Sequence, residues 1–182
     1  MSEASTLSQA APTADAQREL KTIRVSRASA RHNRITADCN LTEVIEQIRT
    51  GSGGVRAKIA NIRTKARSLR DFIRNGGEAN EEELKRRQKE LKELKKSLPA
   101  VLPSGRFTVR NKNGLSAHSG FICIDVDHLY EKLPEVHAKL CESLYVWALW
   151  KSPTGNGLKG LIRVPADAEK HLASFRAVRQ HV

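Results

Sequence analysis

The sequence predicts an α+β fold, on three observations. Apolar residues recur at helical spacing through the middle of the chain, short apolar and β-branched runs follow, and one helical segment and one glycine-rich turn separate those runs. The order of elements after residue 98 is β-α-β-β-α. That is a ferredoxin-like βαββαβ unit lacking its last strand, preceded by a basic helical hairpin. With 182 residues the chain is long enough for one domain with its own core and an appendage.

Beyond Met1, residues 1–18 contain one large apolar side chain, Leu7, and are expected to form a disordered arm. Residues 19–97 read as a basic, mostly helical region, with a short strand expected at Lys21–Val25. Asn40, Glu43 and Gly51 carry the start and stop signals of a helix over NLTEVIEQIRTG. Val55, Ile59, Ile62, Ala66, Leu69 and Ile73 then follow helical spacing. Arg56, Arg63, Arg67, Arg70 and Arg74 recur one residue out of phase, so one face of this helix is a stripe of arginines. The NGG at 75–77 breaks it. Asn80 and Glu83 open a third helix striped with Leu84, Leu91, Leu94 and Leu98, which Pro99 stops. The two long helices should form an antiparallel hairpin over 55–97. That segment holds 14 basic and 7 acidic residues, more than half of the net charge of +12.

Residues 98–182 form the expected core. Strands are predicted over 120–126, 145–150 and 158–164, with helices from near Pro134 and from Ala168. In the first strand Ile122, Ile124 and Val126 share one face, and Cys123, Asp125 and Asp127 share the other. Aspartate packs poorly on a pleated surface. Two of them about 6–7 Å apart on one strand also repel, so a positive group or water must separate them. Trp147 and Trp150, three residues apart, should face opposite sides of their strand, one in the core and one free to stack a base.

The positive balance favours a polyanionic partner, nucleic acid or an anionic membrane. The longest run of large apolar residues, YVWALW, is far too short to span a bilayer, and the N-terminus has no apolar signal segment. Cys39, Cys123 and Cys141 are far apart and form no CxxC pair, which reads as reduced thiols in a cytoplasmic protein.

Asp125 and Asp127 are candidate ligands for Mg²⁺ or Mn²⁺, hard cations that take oxygen ligands and keep few protein carboxylates. The bland alternative is a pair of solvated or capping acids. Residues 152–160, SPTGNGLKG, contain a literal GxGxxG at Gly155, Gly157 and Gly160. A strand closed by Pro165 follows it where a dinucleotide site needs a helix, so that reading fails. What survives is a hairpin turn, either ordinary or phosphate-binding. In the second case Ser152, Thr154, Gly155 and Gly157 supply hydroxyls and backbone N–H groups and Lys159 a point charge. His118 is a further candidate to approach phosphate, or a capping histidine. His128 is a ligand or a helix-start residue. The arginine stripe tracks a nucleic-acid backbone or is a solvated face.

LPAVLPSGRF, HSGFICIDVDHL and YVWALWKSPTGNGLKGLIRV together resemble the prim-pol-type domain called VirE N-terminal, found in bacterial mobile elements and related to the archaeo-eukaryotic primase superfamily. The resemblance covers roughly residues 98–182. It implies an RRM-like core with metal on Asp125 and Asp127, and a second motif for nucleotide phosphate that falls on Ser152–Lys159. Lys159 stands where many relatives have histidine. A third acid, on a last strand, has no counterpart before Val182, so the core reads as incomplete. The implied activity is metal-dependent nucleotidyl transfer of DNA primase/polymerase type in a mobile-element replication protein. Its partners would be a nucleoside triphosphate, DNA and a helicase or further C-terminal domain. The rival readings are a non-catalytic nucleic-acid-binding module and a bare interaction domain.

Overall fold

The computed structural model describes residues 22–30, 33–34, 36–111 and 113–181. The arm expected over 1–18 and His32 lie outside them. In chain order the elements are β1 (Arg24–Ala28), β2 (Ala37–Asn40), α1 (Leu41–Thr50), α2 (Val55–Arg74), α3 (Glu81–Lys96), β3 (Ala100–Leu102), β4 (Gly105–Phe107), β5 (Leu115–His118), β6 (Phe121–Val126), α4 (Leu133–Glu142), β7 (Val146–Lys151), β8 (Leu158–Arg163) and α5 (His171–His181). The fold is α+β, built on small antiparallel sheets in the orders β2-β1-β3, β4-β5 and β6-β8-β7.

The helices begin and end where their cap residues dictate. Asn40 Oδ1 accepts from Thr42 N–H at 2.9 Å, and Gly51 takes the left-handed conformation at φ 67° and donates to Gln47 O. Asn80 Oδ1 accepts from Glu83 N–H at 3.1 Å at the start of α3. The α2–α3 hairpin is tied by Lys65–Glu90 at 2.6 Å and by the Arg87 guanidinium 4.5 Å above the Phe72 ring. No residue of α3 is buried, whereas α2 buries Ile62 and Ala66.

The β6-β8-β7 sheet carries a core on each face. Strand alternation sends Ile122, Ile124, Leu158 and Ile162 to one side, where Leu133 and Leu140 of α4 and Val178 of α5 cover them. On the other side Phe121 and Leu161 pack against Val25, Leu41 and Val44 of the N-terminal strands and helix. Each such side chain contributes about 1.5–3 kcal/mol when fully buried. The expected boundary at 97/98 is therefore crossed twice, by this second core and by β3, which pairs with β1. Ser26, fully buried on β1, adds a third tie by accepting from Phe107 N–H at 2.8 Å.

One expectation is overturned. Trp147 and Trp150 do not lie on opposite faces; both pack against the second core, Trp147 with its ring 5.0 Å from that of Phe121. The pairing of β7 with β8 shifts register between Val146 and Ala148, and this bulge adds the one residue that brings a spacing of three back to the same side. Strands β2, β3, β4 and β5 were not expected. No helix among the described residues is long and apolar enough to cross a membrane.

Candidate functional site

The aspartate pair sits at the C-terminal end of β6. Asp125 lies directly opposite Lys159 on β8, and their side chains form an ion pair. Lys159 is in turn opposite Trp150 on β7. The positive group that two neighbouring carboxylates require is thus Lys159, delivered by register. Asp125 keeps a side-chain exposure of 48%, so the pair is worth only a fraction of a kcal/mol to about 1 kcal/mol. Asp127 lies just beyond the strand, exposed, with no ion-pair partner among the described residues.

The turn between β7 and β8 docks on this strand end. Gly157 is placed so close that an added Cβ would lie 2.5 Å from Val126 O and 3.3 Å from Asp127 Oδ1. Only a glycine lets the turn come this near. Asn156 O accepts from Leu129 N–H at 2.8 Å and from Tyr130 N–H at 3.4 Å, which ties the turn to the loop after Asp127. That loop holds His128 at φ 60° and Tyr130 at φ 45°, left-handed conformations that cost non-glycine residues roughly 1–2 kcal/mol each. Their side chains meet at 3.2 Å, His128 Nδ1 to Tyr130 Oη.

Within the turn, Ser152 N–H donates to Gly157 O at 2.8 Å and Gly155 N–H to Ser152 O at 2.9 Å. Gly155 is left-handed at φ 78°. The Thr154 hydroxyl donates to Asn156 Oδ1. Ser152 is 2% exposed and its hydroxyl lies 3.3 Å from that of Thr154, so Ser152 and the buried Gly157 shape the turn from inside. Thr154, Gly155, Asn156 and Lys159 remain partly accessible. Among the described residues, the N–H groups of Thr154, Asn156 and Gly157 meet no acceptor.

The arginine stripe of α2 reaches the same place. Arg63 Nε lies 3.6 Å, and its Cδ and Cγ 3.8 Å, from where a Cβ on Gly155 would be. Arg74 lies 3.9 Å from Asp71 on its own helix. Arg56, Arg63, Arg67 and Arg70 have no ion-pair partner among the described residues.

His118 is elsewhere. It precedes the opposite end of β6, with about 13 Å of strand between Phe121 and Asp125. Its Nδ1 accepts from Gly120 N–H at 3.0 Å, so Nε2 carries the proton and donates to His171 Nδ1 at 2.9 Å. Burial, and then the neighbouring His171, hold His118 below its ordinary pKa, while Asp167 acts in the opposite direction.

Sequence reasoning missed three contributors to the site: Asn156, Tyr130 and the specific place of Arg63. The proximity of the GNG turn to the DVDHLY loop is a tertiary fact. The only sequence signal for Asn156 was its position between two glycines.

Among the described residues no group of three histidine, cysteine, aspartate or glutamate side chains converges. The donor set at β6 is two carboxylates, one already paired with Lys159. This suits a hard cation that keeps most of its ligands as water or phosphate, and it does not suit a closed protein cage. Searches among curated proteins and among solved structures returned no match. Residues 93–182 match the family model described as BT4734-like, N-terminal domain, a span that holds Asp125, Asp127 and the 152–159 turn and leaves out Arg63.

Proposed function

We propose that this chain carries a metal-dependent nucleotide site of the nucleotidyltransferase type, primase/polymerase-like. The single observation that carries the reading is the docking of the 152–157 turn on the end of the aspartate strand, with Gly157 against Asp127 and Lys159 beside Asp125. Acids for a cation and uncommitted N–H groups for phosphate then share one edge of the sheet. A second support is the order β6-β8-β7, with α4 between β6 and β7 and α5 after β8. In this reading the order is that of an RRM-like βαββα core.

In this reading Asp125 and Asp127 hold Mg²⁺ or Mn²⁺, which would neutralise polyphosphate charge when bound. Thr154 and the Thr154 and Asn156 N–H groups receive phosphate oxygens, on a turn that Gly157 seats against the strand. Lys159 exchanges its carboxylate partner for phosphate as a point charge. The arginines of α2 lie along a nucleic-acid strand, DNA by the resemblance noted above. A helicase or further C-terminal domain belongs to the same proposal.

One observation favours the rival, a nucleic-acid-binding module without catalysis. The Lys159 ammonium already pairs with Asp125, so that carboxylate is neutralised without a metal ion.

Titration calorimetry of a nucleoside triphosphate in the presence of Mn²⁺ separates the two. The reading expects binding that needs metal and is lost in Asp125→Asn/Asp127→Asn. Metal-independent DNA binding, with no nucleotide binding by a folded wild type, would select the rival.

A further inference from the structure

We propose that Arg63 is the second cation of the phosphate turn, a phosphate-binding residue that the N-terminal hairpin supplies to the nucleotide site. The inference rests on the nucleotide reading above and adds to it a residue from outside the core. Lys159, the other cation of the turn, is paired with Asp125 and must exchange that partner to meet phosphate. The Arg63 guanidinium has no carboxylate partner among the described residues, and its Cγ, Cδ and Nε run past Gly155. It stands next to a turn whose Thr154, Asn156 and Gly157 N–H groups meet no acceptor among the described residues.

A planar fork of donors beside a nest of backbone N–H groups matches a polyphosphate, which offers several anionic oxygens at short spacing. Lysine would serve less well there, because it cannot bind two oxygens in a fixed plane. The helix holds Arg63 in register, since the preceding residue, Ile62, is fully buried and Ala66 is 4% exposed. The Arg63 backbone therefore stays beside the turn unless α2 leaves its packing, and the exposed side chain is accessible to an anion there. The remaining arginines of the stripe continue away from the turn along α2, so one helix would serve both the terminal phosphates and a nucleic-acid strand.

The test titrates two probes into the full chain, inorganic tripolyphosphate without metal and a nucleoside triphosphate with Mn²⁺. It compares wild type, Arg63→Gln and Lys139→Gln. Lys139 is an exposed residue of α4 that pairs with Glu135, so its replacement controls for net charge. Loss of a charged hydrogen-bonding group should weaken both probes by about tenfold in Arg63→Gln and leave Lys139→Gln near wild type. Wild-type affinity in Arg63→Gln, or an equal loss in Lys139→Gln, would overturn the assignment while metal-dependent nucleotide binding stood. Arg63-dependent tripolyphosphate binding without metal-dependent nucleotide binding would support Arg63 as a polyphosphate ligand and remove the nucleotidyl-transfer reading. A wild type that binds neither probe overturns both.

Discussion

Asp125 and Lys159 face each other across two strands, and part of that pairing was legible from alternation alone. Asp125 and Asp127 had to share a face, and two carboxylates on one face call for a positive neighbour. Which lysine or arginine answers depends on cross-strand register, which the local sequence does not state. His118 illustrates the same limit. Its partner, His171, is 53 residues away and shows no ligand spacing. His118 does make stability pH-dependent. Burial and His171 depress the folded pKa of His118 below the ordinary 6.5, so the unfolded chain takes up its proton first. The contribution is complete well above 6.5 and is lost as the pH falls through that value towards the folded pKa. The midpoint of urea unfolding should therefore drop as the pH is lowered from neutral to about 5, and part of that slope should vanish in His118→Gln. An identical slope in the variant would remove His118 from the account.

At the scale of elements, α1, α2 and α3 were legible because caps and apolar periodicity act within one helix. Asn40, Gly51 and Asn80 do what their positions suggest. Strands β3 and β4, each three residues long, are too short to display an alternating pattern and exist because β1 and β5 present open edges. The bulge in β7 was invisible for a related reason, since it is a mismatch between two strands. The turn before β8 yields a sharper prediction. A Cβ at residue 157 would meet the Val126 carbonyl, which is backbone and cannot rotate away. Gly157→Ala should cost about 1–3 kcal/mol by overpacking. Urea unfolding would measure that cost, and a cost near zero would mean the turn is not held against β6. The same variant should weaken triphosphate binding if the turn is the phosphate site.

The whole molecule is organised around one sheet with a core on each face, and the N-terminal strands and α1 furnish half of the covering. Phe121 is 1% exposed at the junction, with the Trp147 ring 5.0 Å away. Phe121→Ala should destabilise by about 3–5 kcal/mol. In the wild type, tryptophan fluorescence should lose signal together with far-UV dichroism, because both tryptophans lie where the two parts of the chain meet. Two separated transitions would show that the N-terminal part and the sheet unfold independently. The same organisation closes one side of the sheet around Phe121 and Leu161, which leaves the strand ends near Asp125 and the turn as its accessible edge.

By itself the sequence determined the helices, their caps, the arginine stripe, the aspartate pair and the α+β class. Each of these is written in local spacing, within one helix turn or one strand pleat. Tertiary structure alone decided that Lys159 answers Asp125, that Gly157 seats the turn on Asp127, that Arg63 lies over Gly155 and that both tryptophans share a face. Those are matters of register and of close approach between distant segments. They are settled when burial of Ile62, Phe121 and Leu161 locks α2, β6 and β8 into place.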